Sequence, residues 1–113
     1  MERFSDRRAI VTGAGSGIGA ATVARLLDEG AAVAAFDISA AGLAATTAAA
    51  EDAGTAKRLT TAVLDISREE SVMAAVDAAV AELGGLEVLV NVAAIQTCSH
   101  THDTSLAEWN RTL

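Results

Sequence analysis

Along the chain of 113 residues, short apolar runs alternate with stretches in which apolar residues recur every three or four positions. AIVT, from Ala9 to Thr12, reads as a first strand, and Ile18, Ala21, Val23, Leu26 and Leu27 then fall at helical spacing before Gly30. AAVAAFD (31–37) reads as a second strand ending at Asp37, followed by an alanine-rich helix that Ser39 can cap and Gly54 can end. RLTTAVLD (58–65) reads as a third strand ending at Asp65. Behind it, Ser67 and Glu70 have the S-x-x-E spacing of a capping box, and Val72, Val76 and Val80 mark one face of a helix that stops at Gly84-Gly85. LEVLVNVA (86–93) is a fourth strand. The polar run QTCSHTHDTS (96–105) follows, and a further helix starts near Ser105 with Glu108 three residues on.

Four strands separated by helices of this length pair in parallel through right-handed crossovers, so the pattern predicts a doubly wound α/β sheet with flanking helices. No linker divides the chain, no fixed-period repeat is visible, and proline is absent. In the strand order 3-2-1-4 the fourth strand is an edge, yet its run is nearly continuous and apolar, as in a central strand covered on both faces. An uncharged apolar edge is a pairing hazard. The last helical pattern also stops at Leu113, barely two turns after its cap. The expectation is an incomplete sheet, with this chain as the front part of a longer domain.

Composition narrows the function. Apolar residues make up 51% of the chain but aromatic ones only 3%, namely Phe4, Phe36 and Trp109, so alanine dominates and helices pack close. Folding at this length buries about 60 to 70% of the unfolded surface, enough for a small core. A net charge of -7 argues against nucleic acid and anionic membrane as partners, because both need basic patches that release counterions. The start MERFSDRR lacks the apolar centre of a signal peptide, and no window reaches the ~20 apolar residues of a membrane span. A lone Cys98 makes no internal disulfide and fits a reducing compartment, so a cytoplasmic location is expected.

The chemistry gathers at VTGAGSGIG (11–19), where Gly13, Gly15, Gly17 and Gly19 crowd one turn. Glycine loses more backbone freedom on folding than any other residue, so such a cluster implies a main chain that goes where a side chain cannot. A strand, a glycine-rich turn and a helix start bring unpaired N–H groups and the positive end of the helix dipole to one point, where an anion belongs. Gly13 would make the sharp turn, Gly17 would let the helix start approach a pyrophosphate, and Gly19 would let the helix pack on the sheet. About 20 residues on, Asp37 ends the second strand, where an acid accepts from the hydroxyls of an adenosine ribose and repels a 2′-phosphate. Ala14, Ile38 and Ser39 offer no Lys or Arg, so NAD is expected over NADP. The competing reading of Asp37 is an ordinary helix or turn cap.

TGAGSGIG matches T-G-x-x-x-G-x-G, and with Asp37, LDI at 64–66 and NVAA at 91–94 the chain resembles the short-chain dehydrogenase/reductases over essentially its whole length. The resemblance implies an N-terminal part of one NAD(P)-binding Rossmann domain over residues 1–113. It implies that Ser16 and the backbone around Gly17 and Ile18 hold the pyrophosphate, that Asp65 and the backbone of Ile66 contact the adenine, and that Asn91 and Ala93 support the nicotinamide-side ribose. Val92 and Ala94 depart from the usual N-N-A-G run. The family's Tyr-x-x-x-Lys pair, in which the Tyr is the general acid/base, is not in this chain: it has no tyrosine, and Lys57 is its only lysine. The full-length protein is therefore expected to move hydride between NAD and a small-molecule carbonyl or secondary alcohol as a homo-oligomer, with this chain itself not catalytic. Asn110 stands too early to be the family's helix Asn.

Other functions share parts of this pattern. A sensor or scaffold of the same fold would bind NAD without turnover. A methyltransferase lacks the T-G-x-x-x-G-x-G spacing, and an epimerase-type relative places its glycines as T-G-x-x-G-x-x-G. Cys98, His100, His102 and Asp103 alternate along one loop, a poor tetrahedral frame for zinc, and the loop suits a solvated surface or the lining of the substrate pocket. Glu69 and Glu70 open a helix, where acids favour the dipole, and Arg7 and Arg8 are expected to face solvent.

Overall fold

The computed structural model describes residues 2–95 and 100–112. Its elements are β1 (Arg8–Thr12), α1 (Gly17–Asp28), β2 (Ala32–Asp37), α2 (Ala40–Ala53), β3 (Leu59–Val63), α3 (Glu69–Leu83), β4 (Val88–Asn91) and α4 (Leu106–Thr112), with single 3-10 turns at Ala56–Arg58 and Thr101–Asp103. All three strand pairings are parallel, as the patterning predicts, and the order is β3-β2-β1-β4, the order expected of the doubly wound sheet. Val11 lies opposite Ala35 on one side and Val90 on the other, which sets the register of the centre of the sheet.

Alternation along the two central strands divides the core. Ala9, Val11, Val33 and Ala35 face α1 and α2 and meet Val23, Leu26, Leu27, Leu43 and Ala50. Ile10, Ala34 and Phe36 face the other way and meet Leu64 and Ala79, with Val72, Val76 and Leu83 of α3 partly buried around them. Fully burying a Val, Leu or Ile side chain stabilises by about 1.5–3 kcal/mol, so the larger α1/α2 face carries most of the apolar stabilisation. The strand alanines leave no bulk between sheet and helices. β4 is covered only on the α1/α2 side: Val88 and Val90 are partly buried, while Leu89 on the opposite face is exposed.

Three local expectations are corrected. Ser67 does not cap α3. The cap position is Arg68, without a side-chain hydrogen bond, because the Ser67 amide and hydroxyl both donate to Asp65 Oδ1, at 2.9 and 2.7 Å. β3 and β4 are shorter than their apolar runs: β4 ends at Asn91 because the amides of Val92 and Ala93 turn to the Thr12 hydroxyl, which accepts both at 3.1 and 3.2 Å. Arg8 does not simply face solvent. As the first residue of β1, it donates to Glu87 (Nη2 to Oε1, 2.8 Å) and to the Gly84 carbonyl at 2.6 Å.

A second charged lock sits at the same N-terminal end of the sheet. Glu29, almost fully buried behind α1, accepts from Arg3 Nη2 and Arg25 Nε, each at 2.7 Å. These hydrogen bonds, Arg3 first and then Arg25, lower the Glu29 carboxyl from its ordinary 4.5 to about 2. No helix of the described residues is long and apolar enough to cross a membrane.

Candidate functional site

At the opposite, C-terminal end of the sheet, β1 gives way to a corner built almost without side chains. Gly13 has φ +66, and a Cβ there would lie 2.7 Å from the Ala93 amide nitrogen, so both the turn and the neighbouring chain require glycine. α1 begins at Gly17 with Ser16 at the cap position, and the Ser16 hydroxyl makes no cap bond. Gly17 has φ +52, and the place its Cβ would occupy is open, with nothing within 4 Å. A Cβ on Gly19 would fall 1.8 Å from the Gly13 carbonyl oxygen, so the first turn of α1 lies directly on the corner's main chain.

A helix of 12 residues thus presents its first N–H groups, uncapped by any side chain, over an open glycine. That arrangement fits the diphosphate of a dinucleotide, which needs close main-chain approach and the positive end of the dipole.

Asp37, at the end of β2, is held from two directions. Its Oδ2 accepts from the Gly15 amide at 2.8 Å and its Oδ1 from the Ser39 amide at 2.9 Å. The bond to Ser39 is a local turn cap; the bond to Gly15 ties the acid to the corner. A carboxylate has about four acceptor positions, so both oxygens keep capacity for a ligand's hydroxyls. Asp65 lies beyond β3 with its Oδ1 on Ser67. The Ser67 hydroxyl first, then the Ser67 amide, and the nearby Arg68 charge hold its carboxyl below the ordinary carboxylate value.

These parts open on one cleft of about 940 Å³, within the range of small-molecule sites. Gly13, Ser16, Gly17, Ile18, Asp37, Asp65, Ile66 and Ala93 all line it. Asn91, exposed at the end of β4, does not. Ile18, Ile38 and Ile66 are exposed around the cleft, leaving apolar surface for a flat ring.

Of the polar run, Cys98 lies outside the described residues. The His100 and His102 rings stack with centroids 5.8 Å apart and do not line the cleft, and no metal-holding group occurs among the described residues. Sequence reasoning left Asn110 unassigned and missed Arg111 and Thr112; all three line the cleft from the end of α4. It also gives no role to Thr12, although the Thr12 hydroxyl ties β1 to the two amides after β4. The signal for Thr12 is its place as the first residue of the glycine motif; nothing in the polar run indicates that α4 returns over the cleft.

Comparisons with known proteins agree with this architecture. The family model for short chain dehydrogenase matches residues 7–113. A cis-4-hydroxycyclohexanecarboxylate dehydrogenase of Sinomonas cyclohexanicum is 42% identical over 99% of this chain and 44% of its own length. Carveol dehydrogenase from Mycobacterium avium, solved in complex with NAD, superposes with a TM-score of 0.89 at 28% identity, covering 99% of this chain and 44% of that one. A short chain dehydrogenase from Burkholderia cenocepacia, solved in complex with NADP, has a TM-score of 0.85 at 36% identity, covering 97% and 44%. The chain spans less than half the length of these relatives. With the glycine corner, the parallel order β3-β2-β1-β4 and the match over residues 7–113 in agreement, this chain belongs to the short-chain dehydrogenase family.

Proposed function

We propose that this chain is the cofactor-binding front part of an NAD-dependent oxidoreductase that acts on a small-molecule carbonyl or secondary alcohol. The observation that carries the reading is the uncapped start of α1 over the open Gly17, facing Asp37 across one cleft. Bound there, NAD would accept or donate the hydride.

The chain's own residues supply binding and orientation. The Ser16 hydroxyl and the amides at Gly17 and Ile18 would hold the diphosphate. Asp37 would accept from the adenosine ribose hydroxyls, and its negative charge, with no Lys or Arg at Ala14, Ile38 or Ser39, favours NAD over NADP. Asp65 and the Ile66 main chain would flank the adenine. Ala93 would support the second ribose from the cleft wall, and Asn91, outside that wall at the end of β4, would reach it from beside.

Proton transfer at the substrate oxygen is assigned to a Tyr-x-x-x-Lys pair outside residues 1–113, so the chain by itself would not turn over. The apolar edge of β4 and the 44% coverage of the cis-4-hydroxycyclohexanecarboxylate dehydrogenase support a longer domain, and that relative's hydroxylated substrate supports an alcohol. A homo-oligomer working in the cytoplasm completes the reading.

Calorimetric titration of the natural protein with NAD and NADP tests it. NAD should bind more tightly, and Asp37→Ala should shrink the NAD/NADP affinity ratio by about tenfold, because NAD forfeits a charge-assisted hydrogen bond while NADP escapes a repulsion. An unchanged ratio would leave Asp37 as a turn cap only, and the absence of binding to either dinucleotide would end the reading.

A further inference from the structure

Gly42 stands in the first turn of α2, where glycine is a poorer helix former than alanine. The reason is across the interface. A Cβ on Gly42 would lie 2.6 Å from the Gly15 carbonyl oxygen, and a Cβ on Gly15 would lie 2.9 Å from Asp37 Oδ2 and 3.2 Å from the Gly42 carbonyl carbon. Two glycines from separate elements therefore meet backbone to backbone immediately beside the carboxylate.

One helical turn later, Thr46, buried, donates its hydroxyl to the Ala14 carbonyl at 2.8 Å. The Ala14 amide in turn donates to the Phe36 carbonyl at 3.0 Å. The Ala14–Gly15 segment is thus clamped between the end of β2 and α2, with the Gly15 amide on Asp37 Oδ2 at 2.8 Å.

We propose that Gly42 and Thr46 are positioning residues for cofactor choice: by seating Ala14 and Gly15, they hold the Asp37 carboxylate in the orientation that accepts one ribose and rejects a 2′-phosphate. The inference rests on the NAD reading above and adds that the selectivity of Asp37 is imposed from α2. A methyl group at position 42 would push Gly15 away and release Oδ2, leaving the carboxylate held by the Ser39 amide alone and able to turn about that bond away from its ligand-facing orientation. Loss of the Thr46 hydroxyl would leave the Ala14 carbonyl buried without that donor and loosen the same segment.

The test is paired titration of NAD and NADP against the natural protein and its variants. Gly42→Ala should weaken NAD by about tenfold while changing NADP by less than about twofold, because the attraction and the repulsion relax together. Thr46→Val, close in shape, should weaken NAD by about fivefold, again with NADP nearly unmoved, and Thr46→Ser should restore NAD to within about twofold. NAD affinity unchanged in a folded Gly42→Ala, or a loss shared equally by NAD and NADP, would overturn the proposal. If Gly42→Ala does not fold, the Val and Ser variants decide: wild-type NAD affinity in Thr46→Val, equal loss of both cofactors, or no rescue by Ser overturns it. A wild-type protein that binds neither dinucleotide removes the NAD reading along with the inference, whereas wild-type binding with unmoved variants removes the inference only.

Discussion

The two ends of the central strand β1 are built from opposite materials. At the C-terminal end, main chain lies on main chain: Gly13 against Ala93, Gly19 against Gly13, Gly15 against Gly42. At the N-terminal end, long side chains do the joining, with Arg8 on Glu87 and Gly84, and Arg3 and Arg25 on Glu29. The first end leaves amides bare and space open for a ligand; the second turns its charges on itself. In an open parallel sheet, ligands belong at the carboxyl ends of the strands, and this chain keeps these stabilising ion pairs at the other end.

If the glycine end depends on close approach, adding one carbon there should cost most. Gly19→Ala places a Cβ 1.8 Å from the Gly13 carbonyl oxygen, a distance no rotamer relieves, so the corner must open. The expected loss is about 3 kcal/mol or more, at the upper end of overpacking effects, together with loss of dinucleotide binding. Urea unfolding at the wild-type midpoint would break the comparison, since the approach would then be dispensable.

Gly17→Val separates ligand from fold at the same end. The substituted position is open, so no neighbour is displaced, but φ +52 strains a β-branched residue. Stability should fall by about 1–2 kcal/mol, while NAD affinity should drop by more than about a hundredfold, because the isopropyl group takes the space meant for the diphosphate. Titration gives the second number and urea unfolding the first. Unchanged NAD affinity would show that the anion lies elsewhere.

Legibility in the sequence follows the same division. The element order and the glycine corner can be read because periodicity and the T-G-x-x-x-G-x-G spacing are local, whereas the sheet order comes with the doubly wound fold class and has no local signal of its own. The S-x-x-E signal shows where locality ends. Both Ser67/Glu70 and Ser105/Glu108 carry it, but only Ser105 caps, accepting the Glu108 amide at 3.1 Å, because Ser67 is already taken by an acid two residues earlier. β4 stops short of its apolar run for a tertiary reason: Thr12, from a different strand, captures the next two amides. The contact of Gly42 with Gly15 cannot be recognised from the sequence, since only the folded α2 brings the two together. Arg8 reads as solvent-facing because its partners, Glu87 and Gly84, lie more than seventy positions along the chain.

The smallest effect on binding, and the sharpest contrast, is expected at Glu29. Its carboxyl is lowered from 4.5 to about 2 in the folded chain by Arg3 and then Arg25. A carboxyl whose folded value is depressed contributes stability that is complete above its unfolded value and is lost as pH falls through the folded one. The contribution of Glu29 should therefore be full above pH 4.5 and fade as pH drops towards about 2. Glu29→Gln removes the charge and leaves two guanidinium groups beside a neutral amide, so at neutral pH the variant should melt several degrees below wild type. Glu87, lowered by Arg8, and Asp65, lowered by Ser67, lose their contributions in acid as well, but both are present in either protein and cancel in the difference. The gap in melting temperature should then close across the window from 4.5 to about 2. NAD affinity at neutral pH should stay within about twofold of wild type, because sites at opposite ends of the sheet behave additively. A gap that persists at pH 2 would mean that Glu29 acts through packing rather than charge. A Gln variant with impaired NAD binding would erase the division between the two ends of β1.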